Sequence, residues 1–379
     1  GEPEQTRPSR AYAPLALQAS VWTWLKSIAP GAVQAAETAS LDFADESPGR
    51  LDPARVDAAK AMTEALKAAE DDPRRAKKLR ARLGVSKLEP VAHLASLLKA
   101  APVTRPALDG LPDLITDLTD DLSAALRDRY ETASDIDPDA GVWVLFLVMA
   151  RLERPWRLLR VFERIARRDD DFLVSRTDMA EIGEALLLDA EHYLAGFAGP
   201  AEAEADTHRA AAALSEFAAV TVGMTREIGI RKDGAWGKRL FELRNKASEQ
   251  MTAIHEAARE AVRRATPEEG RLKGRPGPPP RPGEPGYERA SALGRFLVLT
   301  RDEAARAAVG NAHQAVIEEI GARLETLADK LLRTARAGGG EDAETAAVRL
   351  EEVAGLMRAC GAGDTAEVFL RRVAAVRAA

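Results

Sequence analysis

Apolar residues recur along this chain three and four positions apart, and almost nowhere at alternate positions, so the pattern predicts helices and no strands. Leu214, Phe217, Thr221, Met224 and Ile228 form one narrow seam. Leu240, Leu243, Ala247, Met251, Ile254 and Ala258 form the next. The connection from Gly229 to Gly237 is short, which predicts a long antiparallel helical hairpin over 200–265. Further on, Ile317, Ile320, Leu324, Leu327 and Leu331 make a seam, and Leu350, Val353, Met357 and Cys360 another. Gly361-Ala362-Gly363 stops that helix, and Asp364 with Glu367 offers a capping box to the last one. With a helix over 288–309, four consecutive helices joined by short turns predict a C-terminal four-helix bundle.

Helix punctuation supports the same class. Asp52-Pro53, Asp72-Pro73 and Asp137-Pro138 each place a capping carboxylate before a proline whose missing N–H costs nothing at the first helical position. The predicted helices span 11–29, 53–70, 73–83, 88–100, 111–131, 138–153, 155–168, 177–197, 200–229, 236–265, 288–309, 311–337, 342–360 and 364–378, with 30–51 as an extended connection. No fixed repeat period is present, so the expectation is an all-α, irregular multi-helix array. The expected organisation is an arm with one amphipathic helix (1–51), a helical array (52–265), a Pro/Gly-rich linker (266–286) and the bundle (287–379). Pro278-Pro279-Pro280-Arg281-Pro282 in that linker suits a polyproline II ligand, but its composition suits a semi-rigid spacer better.

Composition narrows the classes of function. Of 379 residues, 46% are hydrophobic, 5% aromatic and 30% charged, with 54 Lys and Arg against 60 Asp and Glu. The net charge of -6 excludes a polybasic nucleic-acid or membrane binder by bulk charge. One cysteine makes neither an internal disulfide nor a Cys-based metal site. Arginine and alanine excess points to a bacterial protein, and the absence of an 18-residue apolar run points to the cytoplasm. Gly1 in place of Met reads as a tag remnant or a cut edge, which leaves room for an upstream targeting segment.

The search for chemistry yields little. His93, His192, His208, His255 and His313 lack the Glu-x-x-His pairs of a di-iron bundle and any His-Glu-x-x-His, so they read as solvated or hydrogen-bonded on helix faces. Cys360 falls on an apolar seam, where a buried inert thiol is expected. There is no Gly-x-Ser-x-Gly elbow and no phosphate loop, and Asp113, Asp117, Asp120 and Asp121 read as a solvated face. No catalytic residue, cofactor or metal site is nominated, and the chain reads as a non-enzyme.

Two basic faces stand out instead. From Pro155, Arg157, Arg160, Arg164, Arg167 and Arg168 project to one side, opposite Leu158, Leu159, Phe162, Ile165 and Ala166. This is the first candidate for an anion-binding or partner-binding face, because guanidinium groups pair with oxyanions. The second is Arg74, Arg75, Lys77, Lys78, Arg80 and Arg82. Acids flank both, Asp169–Asp171 after the first and Asp71-Asp72 before the second, as they would if the faces were paired internally. Neither carries the aromatics that stack single-stranded bases, so specific nucleic-acid binding is not expected. Residues 15–29 form an amphipathic helix with Leu17, Val21, Trp24, Leu25 and Ile28 on one arc. Its polar side has only Lys26, which suits docking within the protein better than a peripheral membrane contact. The expected function is therefore a non-catalytic helical scaffold or adaptor binding a protein partner through helix faces, with a homo-oligomer as one form. The rivals are a peripheral membrane or anionic-ligand binder, and an enzyme or small-molecule binder with a pocket between helices.

Overall fold

Asp72 and Asp137 cap as the sequence demands: their carboxylates accept from the amides of Arg74 (2.8 Å) and Asp139 (3.1 Å), each across a proline at the first helical position. The computed structural model describes residues 15–41, 47, 49–161, 180–197, 204–227, 229–230, 232–267, 279–306, 310–337 and 341–378. Among them the chain is all-α. Its helices are α1 (Leu15–Ile28), α2 (Pro30–Leu41), α3 (Asp52–Glu70), α4 (Pro73–Leu83), α5 (Glu89–Leu108), α6 (Asp120–Ile136) and α7 (Pro138–Arg151), then a 3-10 turn at Pro155–Arg157. They continue as α8 (Ala180–Gly196), α9 (Glu204–Glu227), α10 (Ala235–Ala265), α11 (Pro285–Leu299), α12 (Arg301–Arg306), α13 (Gly310–Ala337), α14 (Glu341–Ala359) and α15 (Gly363–Ala378).

The chain forms two compact units, one of residues 1–189 with 223–237, the other of 190–222 with 238–379. In the first, Leu17, Val21, Trp24 and Leu25 of α1 meet Ala32 and Val33 of α2, Met62 and Leu66 of α3, Leu79 and Leu83 of α4, and Val91 and Ala95 of α5 in one core. The apolar arc of α1 is thus buried within the first unit. A second cluster centres on α7, where Trp143, Val144, Leu145, Phe146, Val148 and Met149 are all buried and the Trp143 indole N–H donates to Ser96 (2.9 Å). Across α3 and α5, the buried Asp52 carboxylate accepts from Arg105 Nε (3.0 Å) and Nη2 (2.9 Å).

In the second unit α13 packs on α14 and α15, and α11 packs on α13 and α14. The seam of α13 is rotated from expectation. His313, Val316, Ile320, Leu324, Ala328 and Leu331 are buried, while Ile317 and Leu327 are only half-buried. Arg349 of α14 donates to the carbonyls of Ala265 (2.5 Å) and Pro280 (3.4 Å), so one guanidinium ties the end of α10 to a proline within the proline-rich stretch. The two units accordingly do not divide at 266–286, although that stretch is where composition changes most; residues 268–278 lie outside the described residues.

Several expectations are corrected. Residues 30–41 are helical, not extended: Pro30 starts α2, and Ala32 and Val33 give it enough apolar surface to dock. The helix expected from 111 begins at Asp120, capped by Thr119. The preceding stretch is extended and pairs Ile115 with Leu152, its N–H donating to the Arg151 carbonyl (2.7 Å). Helix α5 runs to Leu108 through Pro102 and Pro106, eight residues past its expected end. Asp52 lies inside α3, whose N-cap is Leu51, so its carboxylate serves the ion pair with Arg105 and not a cap. Glu367 accepts from Arg358 (Nε, 3.1 Å), which ties α15 to the end of α14.

Candidate functional site

Helix α4 is eleven residues long and carries six cations. Asp72 caps its start, and Gly84 ends it in the left-handed region at φ 69°, where Val85 N–H returns to the Arg80 carbonyl (3.0 Å). Leu79 and Leu83 are buried in the first unit's core and fix the helix against rotation. The rest follows from 3.6 residues per turn. With Leu79 and Leu83 inward, Arg74, Lys77 and Lys78 point directly away, and Arg75, Arg80 and Arg82 take the flanks. All are exposed except Arg80, which is half-buried.

What distinguishes this face is the lack of counter-charge. Arg75 pairs with Asp72 (3.4 Å), and Arg82 donates to the Ser27 hydroxyl at the end of α1 (2.9 Å). The side chains of Arg74, Lys77, Lys78 and Arg80 have no ion-pair partner among the described residues. Elsewhere arginines are repeatedly matched: Arg259 with Glu256 and Glu319, Arg263 and Arg264 with Glu260, Arg358 with Glu367, Arg377 with Glu344 and Glu351. Hydrogen bonds donated to those carboxylates, foremost Glu319 and Glu344, hold Arg259 and Arg377 above the ordinary arginine range.

The stronger candidate in the sequence fares differently. Arg157 pairs with Asp117, and Arg160 with Glu227 (2.9 Å), so these two guanidinium groups are spent within the protein. Arg164, Arg167 and Arg168 lie outside the described residues. The partners Asp117 and Glu227 are 40 and 67 residues away in sequence, so no local pattern reveals these two ion pairs.

Other reactive groups are accounted for by packing. Cys360 is buried, and burial pushes its thiol up to about 12, so it stays protonated. Burial likewise pushes Tyr287 up to about 12, its hydroxyl donating to the Glu352 carbonyl (2.8 Å). Lys99 is raised by its hydrogen bond to Asp137. No three His, Cys, Asp or Glu residues converge as a metal site among the described residues. No helix among them is long and apolar enough to cross a membrane. A groove of about 680 Å³ is lined by Leu327, Leu331, Ala346, Val348, Pro267 and Pro279, and Arg349 and Glu352 on its wall pair with each other.

One constellation escaped the sequence reading. His192 and His208 are exposed, but His255 of α10 and His313 of α13 are 4% and 1% exposed, with His255 Nε2 3.0 Å from His313 Nδ1. His313 Nε2 lies 2.7 Å from the Leu297 carbonyl, which only accepts, so that nitrogen carries the proton and Nδ1 is left to accept from His255. Burial, followed by the charges of His313 and Arg259, lowers His255 to about 4, and burial lowers His313 too. The signal in the sequence is position: His255 lies four residues after Met251 and three before Ala258, on the apolar seam, and His313 sits three before Val316. Compared with protein-family models, with curated proteins and with solved structures, the chain finds no match.

Proposed function

We propose that the protein is a non-catalytic helical scaffold that docks an acidic segment of a protein partner on the outer face of α4. One observation carries this reading: four cations on one helix, Arg74, Lys77, Lys78 and Arg80, have no ion-pair partner among the described residues, whereas other arginines are repeatedly paired. Like charges at i,i+3 and i,i+4 each cost a few tenths of a kcal/mol. Arg74–Lys78, Lys78–Arg82, Arg74–Lys77 and Lys77–Arg80 are all such pairs, and an acidic partner relieves every one.

The chemistry of the face favours protein over the alternatives. Its outermost apolar residue is Ala81, so nothing on it inserts into a bilayer, and the apolar arc of α1 is occupied by the core. No aromatic lies among the cations for base stacking. No helix N-terminus supplies amides for a small anion, since the start of α4 is already capped by Asp72.

The test is fluorescence anisotropy of a labelled Glu-rich helical peptide titrated with the full chain, at low and at physiological salt. Binding that weakens with salt is expected, and Arg74→Glu/Lys77→Glu/Lys78→Glu weakens it about tenfold or more. The charge-matched control Lys232→Glu/Lys238→Glu/Lys246→Glu, three exposed lysines away from α4, leaves it unchanged. Equal affinity in both variants removes the α4 face from the function. Capture by phosphatidylserine vesicles, with no peptide binding, replaces the scaffold reading with the membrane one.

A further inference from the structure

We infer that the His255–His313 pair is an acid-sensitive latch that clamps α10 against α13 while both rings are neutral and releases them when the pair is protonated. The contact rests on a single proton arrangement. Leu297 O fixes the proton of His313 on Nε2, so Nδ1 accepts, and His255 must donate from Nε2. A proton arriving on His313 Nδ1 turns that acceptor into a donor facing another donor. The bond survives only if His255 surrenders its Nε2 proton and takes the other tautomer. A second proton leaves two cations facing each other at 3.0 Å inside the protein.

The surroundings oppose even the first proton. Both rings are buried, which disfavours the charged form. The charged groups that bear on the pair are cations: Arg259, one turn along α10 from His255, and Arg301, at the start of α12. Arg259 is itself held by Glu256 and Glu319, and no carboxylate among the described residues hydrogen-bonds to either ring. Glu303 of α12 accepts from Ser215 (3.2 Å) instead. The site thus binds protons more weakly than the open state, where each imidazole titrates near 6.5. Below that value acid pulls the equilibrium toward the open form. Two further contacts tie α10 and the residue after it to α13: Arg259 with Glu319, and Arg323 with the Thr266 carbonyl (2.7 Å). Neither contact involves an imidazole, so release is confined to the segment around the two rings.

Hydrogen exchange of the full chain at pH 7 and pH 5, corrected for the intrinsic pH dependence of exchange, tests this directly. Amides flanking His255 and His313 are expected to exchange about tenfold faster at pH 5, while those of α14 and α15 keep their rates. In His255→Gln/His313→Gln, which has no imidazole at either position, that acceleration is lost. An unchanged acceleration in this variant overturns the latch. Should the variant fail to fold, NMR titration of the imidazole carbons in the wild-type protein decides: two rings still neutral at pH 5 support the latch, and either ring titrating near 6.5 refutes it.

Discussion

Glycine at position 183 is required by a tryptophan in the same unit. A Cβ built there would lie 2.1 Å from Trp236 Cζ2, a distance no packed structure tolerates, and the indole is held in place by its N–H donating to Glu184 (2.9 Å). Gly183→Ala therefore forces the ring off Glu184 or shifts α8, and overpacking of this kind costs about 1–3 kcal/mol. Denaturant unfolding followed by tryptophan fluorescence is expected to show a lowered midpoint; an unchanged midpoint would mean that the indole relocates freely. Residues of this type show what a local reading misses. Nothing near Gly183 in the sequence points to Trp236, over fifty positions away, and Asp52 reads as a cap because its partner Arg105 is equally remote. Where cause and effect were neighbours in the chain, as with Asp72 or Asp137 before proline, the reading succeeded.

At the scale of the element, α4 carries a conflict between stability and its proposed use. Placing Glu at position 78 converts two repulsive pairs, to Arg74 and Arg82, into attractive i,i+4 pairs, each good for about 0.3–0.5 kcal/mol. Lys78→Glu should therefore raise the stability of the first unit by about 1 kcal/mol, visible as a higher urea midpoint, while weakening acidic-peptide binding. A variant that gains no stability would mean that the cations do not strain the helix, and the motive for an external partner would weaken. Helix boundaries were legible where a cap or an αL glycine marks them, as at Asp72 and Gly84 around α4. They were not legible where packing overrides propensity. Helix α5 continues past Pro102 and Pro106, and α2 exists because two small apolar residues reach the α1–α3 core.

At the scale of the whole molecule, acid should act on the two compact units unequally. His255 and His313 both belong to the second unit, whereas the chain's five tryptophans, Trp22, Trp24, Trp143, Trp156 and Trp236, all belong to the first. The folded-state value of His255, about 4, lies below the ordinary value of 6.5. Between those limits the unfolded chain binds a proton that the folded chain refuses, so stability is complete above pH 6.5 and falls as the pH drops toward 4. A displacement of that size corresponds to about 3 kcal/mol for His255, and His313 acts in the same direction. Circular dichroism, which reports helices throughout the chain, should melt in one sense with tryptophan fluorescence at pH 7.5 and separate from it at pH 5.5. The new low-temperature component should be present in dichroism and absent from fluorescence. Coincident shifts by both probes would place the acid-labile group in the first unit and remove the histidine pair as its cause. Neither the net charge of -6 nor the count of five histidines foretells this asymmetry. It arises because two seams that were legible singly, on α10 and on α13, bring one polar residue each to the same buried point.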